Sequence, residues 1–310
     1  MLSYQHAFHA GNHADVLKHI TLIACLQRLN KKQKPYFALD THAGTGLYAL
    51  EKTSSKRDAF AFEALLTGLY NNDAVSANEQ INNEALRAYA GLLQTLAGKS
   101  LYPGSPAILS YFSRPHDNVH ANELASQMYA ELDKANRTFG DIGNTVHLHN
   151  RDAFELINAM MPPKPNRGLV LIDPPYEQAI EYQAVAQSLS SALKKWSNGL
   201  YMLWYPLLSP TRINRQTKAL ESNPKAGQSE NMLERLKVDV GQHCTGGMLS
   251  IEFANQAPSS QVGMYGSGVC LINPPFQIDA CLDEVLALLV KHVSLDENAL
   301  SNTKWHIKPS

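Results

Sequence analysis

Short apolar runs alternate along the chain with segments in which apolar residues recur at helical spacing. The runs predict buried strands of a sheet covered on both faces, because they lack the polar alternation of a half-exposed strand. The predicted strands are 36–40, 119–122, 146–149, 169–173, 200–204, 248–253 and 269–273. Helical segments lie between most of them, including 123–137, 152–161 and 178–196. This alternation predicts an α/β fold with a doubly wound, mostly parallel sheet of seven strands.

Two further elements are predicted, one before the first strand and one between the last two strands. A first helix should begin near Asn12 or His13 and end at Asn30, just before the first strand. Residues 254–268, between the last two strands, contain glycine, serine and proline and show no helical pattern. We therefore expect a hairpin there, which makes one strand of the sheet antiparallel.

Residues 52–100 differ in character from the rest of the chain. Helical spacing at 62–70 and 86–96, punctuated by asparagines, predicts a small helical insertion. The main domain would then consist of residues 1–51 and 101–310. Residues 60–98 hold more acids than bases, so charge alone makes the insertion a poor phosphate-binding element.

The formal net charge of −1 indicates that any contact with nucleic acid must use local basic patches. Three clusters are candidates, although each one alone is better explained as a solvated loop or helix end. They are Lys31 with Lys32 and Lys34, Lys52 with Lys56 and Arg57, and Lys164 with Arg167.

The cysteines and the N-terminal residues bear on the compartment. The four cysteines show no C-x-x-C spacing and no disulfide framework. The first residues lack the apolar stretch of a signal peptide, and no apolar run is long enough to span a membrane. We expect a cytoplasmic protein that makes no use of a membrane.

The stretch LVLIDPPYE, residues 169–177, carries the first chemical signal. A buried parallel strand ends in Asp173, and open α/β sheets bind their ligands at the carboxyl ends of strands. Pro174 and its neighbour make a stiff, extended exit whose carbonyl groups remain free to accept hydrogen bonds. With Tyr176 as an aromatic platform, this motif could hold a planar, amine-bearing group such as a nucleobase. The alternative is an ordinary strand-to-turn connection. A second Pro-Pro sequence, after Asn273, is interpreted as a strand terminus.

A turn with two glycines, DTHAGTG at residues 40–46, follows the first predicted strand. Glycines such as Gly44 let the backbone turn tightly and approach a ligand closely. The turn lacks the third glycine of the dinucleotide fingerprint and the Lys-Ser/Thr of a P-loop, so a nucleoside without pyrophosphate fits best.

Two further acids follow predicted strands. Glu123 could accept hydrogen bonds from ribose hydroxyls, and Asp152 from an adenine amino group. Each also begins a predicted helix, so helix capping is an equal alternative.

The N-terminus concentrates polar side chains. Tyr4, His6, Lys18 and His19 lie within 19 residues, together with His9 and His13. The histidine spacing invites a zinc interpretation, but no cysteine or suitably spaced acid completes a tetrahedral set, so no metal is expected. A polar helix face here could instead line a cofactor and substrate cleft. The alternative is a set of surface histidines.

The sequence places an acid after each of the first four predicted strands, and this pattern resembles that of the class I, Rossmann-like S-adenosylmethionine-dependent methyltransferases. The D-P-P-Y motif resembles that of the members of this class that methylate amines. The segments LSYQHAFHAGNHADVLKH, LDTHAGTGLY, YPGSP, LIDPPYE and LWYP occur in this order. Together they resemble the bacterial 23S ribosomal RNA adenine-N6 methyltransferases, the J-type large-subunit enzymes. The likeness covers nearly the whole chain, and the N-terminal stretch 1–19 is its most specific part.

The resemblance implies particular roles. The catalytic acceptor would be Asp173, with the Pro174 carbonyl as a second acceptor and Tyr176 stacking on a flipped adenine. Tyr4 would lie near the target adenosine, with His6 and Lys18 also on the substrate side. The cofactor S-adenosylmethionine would contact His19, His42, Gly44, Ser105, Glu123, Asp152, Ala153 and Asp173. Ala153 stands where the family often has glycine, and Ala125-Ser126 where His-Pro is more usual, so backbone contacts to adenine are open.

The implied partner is 23S ribosomal RNA, naked or early in assembly, acted on by a monomer without an obligate protein partner. A DNA adenine-N6 or cytosine-N4 methyltransferase is the nearest alternative, although no extra target-recognition domain is evident. A non-catalytic RNA-binding assembly factor is another, and it would not need the Asp173 carboxylate. A small-molecule or protein-glutamine methyltransferase is more distant.

Overall fold

The computed structural model describes residues 11–49, 83–214, 216–259, 261 and 263–309. In these residues the helices are α1 His13–Asn30, α2 Glu84–Ala97, α3 Ser105–Phe112, α4 Ser126–Ile142, α5 Ala153–Met160, α6 Ala179–Lys195, α7 Gln228–His243 and α8 Ile278–Val293. The strands are β1 Phe37–Asp40, β2 Leu47–Ala49, β3 Leu101–Pro103, β4 Asn118–Asn122, β5 His147–His149, β6 Gly168–Ile172, β7 Leu200–Leu208, β8 Thr211–Ile213, β9 Leu220–Ser222, β10 Met248–Ala254, β11 Met264–Ile272 and β12 Leu300–Ile307.

Eight of these strands form one sheet in the order β12-β10-β11-β7-β6-β1-β4-β5. The five strands from β7 to β5 are parallel. We call the side where these five strands end the carboxyl edge and the side where they begin the amino edge. Strand β11 runs antiparallel to β7 and β10, and β12 runs antiparallel to β10. The small pairs β2-β3 and β8-β9 stand apart from this sheet.

The predicted fold class is confirmed, and so is the hairpin, which joins β10 to β11. The sheet has one strand more than predicted, and it is β12 that the sequence pattern missed. Five of its eight residues, from LSNTKWHI, are polar, and its side chains are exposed or only partly buried. An edge strand of this kind lacks the apolar run by which the other strands were identified.

Apolar side chains cover the sheet on both faces, as a doubly wound fold requires. Helices α1, α2, α3, α4 and α8 build the core on one face. Helices α5, α6 and α7 build the core on the other. The core side chains of β1 alternate between the two clusters, with Ala38 in the first and Phe37 and Leu39 in the second.

Helix α2 comes from the predicted insertion. Leu86, Tyr89 and Leu93 are buried on its inner face, in the same core as α1. The predicted helix 62–70 and the basic cluster from Lys52 to Arg57 lie outside the described residues. A separate subdomain at 52–100 therefore stays a prediction. Within the part of the chain that the structure describes, no helix combines the length and apolarity needed to cross a membrane.

Candidate active site

Four acids stand at the carboxyl edge, one at the end of each of four adjacent parallel strands. Asp40 is the last residue of β1, while Glu123, Asp152 and Asp173 follow β4, β5 and β6. The strand order β6-β1-β4-β5 places them side by side in the sequence Asp173, Asp40, Glu123, Asp152. The parallel sheet thus gathers residues that are spread over 134 positions of the chain, between 40 and 173.

Asp173 forms a buried ion triad with helix α1. Lys18 Nζ lies 2.5 Å from Asp173 Oδ2 and 2.9 Å from Asp15 Oδ1. The side chains of Lys18 and Asp15 are each 4% exposed, and that of Asp173 is 12% exposed. Burial opposes the charge on Lys18, but the two carboxylates outweigh it and raise the Lys18 pKa well above its usual value. Among the described residues no donor bonds to Asp173 Oδ1, so one oxygen stays available.

Contacts made by Tyr176 hold the turn after Asp173 in place. Tyr176 has a left-handed φ of +48°, and its side chain is buried at 1% exposure. Its ring packs on Tyr182 with 4.3 Å between centroids, and its hydroxyl donates to the Trp204 carbonyl at 3.0 Å. Lys225 Nζ donates to the Tyr176 carbonyl at 2.8 Å. The Pro174 carbonyl accepts no hydrogen bond from the described residues.

This placement corrects the interpretation of Tyr176 as an open aromatic platform. Its ring belongs to the core on the α6 face, and the left-handed backbone is what turns it inward. In this conformation the ring anchors the turn and presents no free face to a base. The position of Asp173 and Pro174 depends on that anchor.

Asp40 is fully buried beside the triad. Its Oδ1 accepts the His42 N–H at 3.2 Å, and its Oδ2 has no hydrogen-bond partner within the described residues. Burial raises the Asp40 pKa to about 7 against the opposing effect of the nearby Ser105 side chain, and the charge on Asp173 raises it further. Ser105 itself is buried at the start of α3, after Gly104.

The glycine turn connects β1 to Glu123. Gly44 has a left-handed φ of +60°, and its N–H donates to Glu123 Oε2 at 3.0 Å. The left-handed backbone favours glycine, and a Cβ at Gly44 would lie 2.7 Å from the Tyr48 hydroxyl, which would have to move. Glu123 Oε1 accepts the Ala125 N–H at 2.8 Å. The loop and the carboxylate therefore fix each other.

Asp152 is the N-cap of α5. Its Oδ1 accepts the backbone N–H groups of Phe154 and Glu155 at 2.9 and 3.0 Å. Capping is thus a real role of Asp152, and its second oxygen remains for a ligand. Ala153, the first residue of the helix, is buried.

The two predicted cofactor histidines have different surroundings. His42 is partly exposed, with its Nδ1 2.7 Å from the Thr41 hydroxyl. Desolvation lowers the His42 pKa to about 4, so the ring is neutral at pH 7. His19 is buried at 1% exposure, packed against Tyr89 and Tyr102 with centroids 6.1 and 5.9 Å away.

The remaining N-terminal predictions divide between described and undescribed residues. Tyr4 and His6 lie outside the described residues. His13 is buried, packed edge-on to Phe253 and 3.1 Å from the Asn255 amide. Among the residues that the structure describes, no group of three or more His, Cys, Asp or Glu side chains could hold a metal ion.

Three residues of this edge had no individual role in the sequence-based site, although Asp40 belonged to its row of acids and Asp15 to its polar helix face. Asp15 shares a helix face with Lys18, and the i, i+3 spacing was its signal. Asp40 sits directly before the glycine turn. Asn122 joins three strand ends: its amide donates to the carbonyls of Thr41 and Arg151, both at 3.0 Å, and its Oδ1 accepts the Arg151 N–H. A lone buried asparagine has no sequence signal.

Comparison with known proteins identifies a family to which this chain is similar. Residues 33–233 match the family model described as "Ribosomal RNA large subunit methyltransferase D, RlmJ". Two relatives named "Ribosomal RNA large subunit methyltransferase J" are similar over almost their full length. The one from Haemophilus influenzae is 35% identical, covering 98% of this chain and 99% of its own. The one from Escherichia coli is 33% identical, covering 93% of each.

A solved structure is also similar. Protein LPL1258 from Legionella pneumophila shares 27% sequence identity with a TM-score of 0.76, covering 96% of this chain and 98% of that one. The structural likeness therefore extends over almost the whole chain.

Proposed function

The chain belongs to the RlmJ family of ribosomal RNA large-subunit methyltransferases, and from that premise we propose that it methylates the exocyclic N6 amine of an adenine in 23S ribosomal RNA. The observation that supports this reaction is the carboxylate of Asp173, oriented by Lys18, next to the Pro174 carbonyl; among the described residues no donor bonds to Asp173 Oδ1 or to that carbonyl. Two acceptors on one rigid turn match the two N–H groups of an adenine amine.

The residues of the carboxyl edge fit S-adenosylmethionine as the methyl donor. Asp152 keeps acceptor capacity beyond the backbone bonds that it makes, since a carboxylate offers about four acceptor sites, and Glu123 lies beside it at the same edge. Asp40 Oδ2 is a buried oxygen that has no hydrogen-bond partner among the described residues, as expected beside a polar ligand. When bound, this cofactor supplies a methyl group on a sulfonium, which even a weak neutral nucleophile can attack.

Asp173 and Pro174 would act on the adenine amine. The N6 lone pair is delocalised into the ring, so the amine is a poor nucleophile. Hydrogen bonds from its two N–H groups to Asp173 and to the Pro174 carbonyl favour a more tetrahedral nitrogen. Nitrogen gains positive charge as the N–C bond forms, and the Asp173 carboxylate can stabilise that charge and accept the proton late. Positioning by the rigid turn supplies much of the rate.

Lys18 and Tyr176 would serve this step as positioning residues. Lys18 bridges Asp15 and Asp173, so it fixes the direction of the Asp173 carboxylate and limits repulsion between the two acids. Tyr176 locks the turn through Trp204 and through its contact with Tyr182. A flipped adenine, which costs a few kcal/mol to unstack, would need its stacking partner elsewhere or a movement of the Tyr176 ring.

Further parts of the proposal are the cellular setting and the state of the RNA. The four cysteines are free, which suits a reducing cytoplasm. We propose that a monomer acts there on naked or early-assembling ribosomal RNA without an obligate protein partner.

The test incubates purified protein with labelled S-adenosylmethionine and one of three acceptors. The acceptors are unmodified deproteinised 23S ribosomal RNA, assembled large subunits and duplex DNA. Nucleoside digestion and mass spectrometry then identify the product. We expect N6-methyladenosine from the naked ribosomal RNA only.

The other outcomes are decisive as well. Label in duplex DNA would replace the proposal with a DNA methyltransferase. Methylation of another base or position would overturn the adenine-N6 assignment. Cofactor binding without transfer to any acceptor would indicate a binding protein that kept the fold.

A further inference from the structure

A dense group of positive charges lies at the amino edge, about one strand length from the proposed active site. We call it the amino-edge patch, and its members are Lys31, Lys32, Lys34, Arg114, Lys164 and Arg167. They come from the loops that lead into β1, β4 and β6, which are neighbours in the sheet. Two basic clusters that are separate in sequence thereby meet. Strand β6, whose far end carries Asp173, is roughly 17 Å long at about 3.3 Å per residue.

Two arginines hold the lysine loop in place. Arg114 donates to the carbonyls of Lys32 and Lys34 at 2.9 and 3.1 Å. Arg167 donates to the same Lys34 carbonyl at 2.9 Å and to the Leu29 carbonyl. The loop is therefore fixed through its backbone, and the side chains of Lys31, Lys32 and Lys34 remain exposed.

The positive charge of the patch is left almost uncompensated. Among the described residues, Asp117 is the one carboxylate that interacts with members of the patch. Its side chain is fully buried and occupied by Arg114 and by the Tyr36 N–H. Among the described residues, none of the four lysines has an ion-pair partner. Six cations thus face one acid in a chain whose net charge is −1.

The arrangement brings like charges together. Arg114 and Arg167 share the Lys34 carbonyl, and burial together with the charge of Arg114 lowers the Arg167 pKa. Such repulsion opposes folding, and it is relieved when an anion binds across the group. The patch also lacks large exposed apolar side chains, which form the centres of most protein–protein interfaces. A polyanionic backbone fits it better than a protein surface does.

We propose that the amino-edge patch binds the phosphate backbone of the ribosomal RNA substrate, at a segment distinct from the one that enters the active site. The identity of this RNA rests on the proposed function. Because the two edges are about a strand length apart, a short RNA held at Asp173 would not reach the patch. A long RNA that wraps around the edge of the sheet would reach both.

The experiment compares two triple variants of equal charge. The patch variant carries Lys31→Gln, Lys32→Gln and Lys34→Gln. The control variant carries Lys134→Gln, Lys194→Gln and Lys304→Gln, three exposed lysines from α4, α6 and β12. Both lose the same net charge, so a difference between them reports location. Binding of labelled 23S ribosomal RNA transcript is measured by filter retention over a series of salt concentrations, without cofactor, and methyl transfer is measured separately.

We expect the patch variant to bind the transcript about tenfold more weakly than the control at moderate salt, with kcat unchanged. Its plot of log affinity against log salt should be shallower by about 2 to 3, one counterion release for each lost lysine contact. Equal affinity and slope in the two variants would overturn the proposal, and an acidic protein would then be the better partner. Failure of the wild-type protein to methylate RNA would refute the proposed function instead, while the binding assay would still decide the role of the patch.

Discussion

The two edges of the central sheet handle charge in opposite ways. At the carboxyl edge the side chains of Asp15 and Lys18 are 4% exposed and that of Asp173 is 12% exposed, and they pair at 2.5 to 2.9 Å. At the amino edge Lys31, Lys32 and Lys34 are exposed and without ion-pair partners among the described residues.

The difference in burial and ion pairing determines what each edge can do. Buried, paired charges keep a fixed geometry and are weakly screened by salt, so they suit chemistry that needs one orientation. Exposed, unpaired charges act over a Debye length of about 10 Å and weaken as salt rises, so they suit attraction of a polyanion. We therefore expect changes at the carboxyl edge to alter turnover and stability, and changes at the amino edge to alter RNA affinity and its salt dependence.

The largest effect is expected from Asp173→Ala. This change removes the proposed acceptor for the adenine amine and its proton, so methyl transfer should fall at least about a hundredfold. Cofactor affinity, followed by calorimetry, should stay within about twofold. The matched control is Glu177→Ala, which removes an exposed carboxylate from the same loop. Normal turnover by Asp173→Ala would end the proposed role of this carboxylate.

The next effect concerns stability. Lys18→Met would leave the carboxylates of Asp15 and Asp173 facing each other without their shared cation, and the free energy of unfolding should fall by about 3 kcal/mol. Urea denaturation at pH 7 measures it. Lys31→Met, an exposed change just after the same helix, should stay within about 0.5 kcal/mol.

A double variant sharpens that test. Asp15→Asn added to Lys18→Met removes one of the two uncompensated charges and should recover part of the lost stability. If it recovers none, the loss comes from packing rather than from charge.

The raised pKa of Asp40 predicts how the free energy of unfolding depends on pH. Its pKa is about 7 in the folded protein and 3.8 in the unfolded chain. Between these values the folded state binds a proton that the unfolded state lacks, so the contribution of Asp40 to stability falls as pH rises from about 4 to 7. Asp40→Asn removes this titration. The stability of Asp40→Asn relative to wild type should therefore increase between pH 4 and 7 and be constant above. A difference that does not change with pH would contradict the buried position of this acid.

The smallest effect is expected at the amino edge. The triple change of Lys31, Lys32 and Lys34 to Gln should alter the free energy of unfolding by less than about 0.5 kcal/mol, because these side chains are exposed. Arg114→Gln, in contrast, frees the carbonyl of Lys32 and strands the buried Asp117, and should cost about 1 to 3 kcal/mol. Thermal and urea unfolding of both variants would check whether the arginines are structural and the lysines are not.

Tyr176 shows where the structure departs from the arrangement that the sequence suggested for the site. An aromatic residue after Asp-Pro-Pro suggests a stacking surface, yet the ring is buried against Tyr182 and bonded to the Trp204 carbonyl. Neither contact follows from the motif. They depend on the left-handed φ of Tyr176 and on the neighbouring strand β7.

By itself, the sequence determined the fold class, the hairpin near the C-terminus and the row of acids at the carboxyl edge. Apolar runs define strands, and parallel strands must end at one edge, so Asp40, Glu123, Asp152 and Asp173 had to lie on the same side. These are consequences of local pattern and of sheet geometry.

Only the tertiary structure decided which side chains meet. The contact of Lys18 with Asp173 joins residues 155 positions apart, and the amino-edge patch joins loops from three separate connections. Contacts of this kind depend on how α1 packs on the sheet and on which strands are neighbours. Burial then decides which charges must pair and which can stay exposed, because desolvation penalises an unpaired charge only where water is excluded.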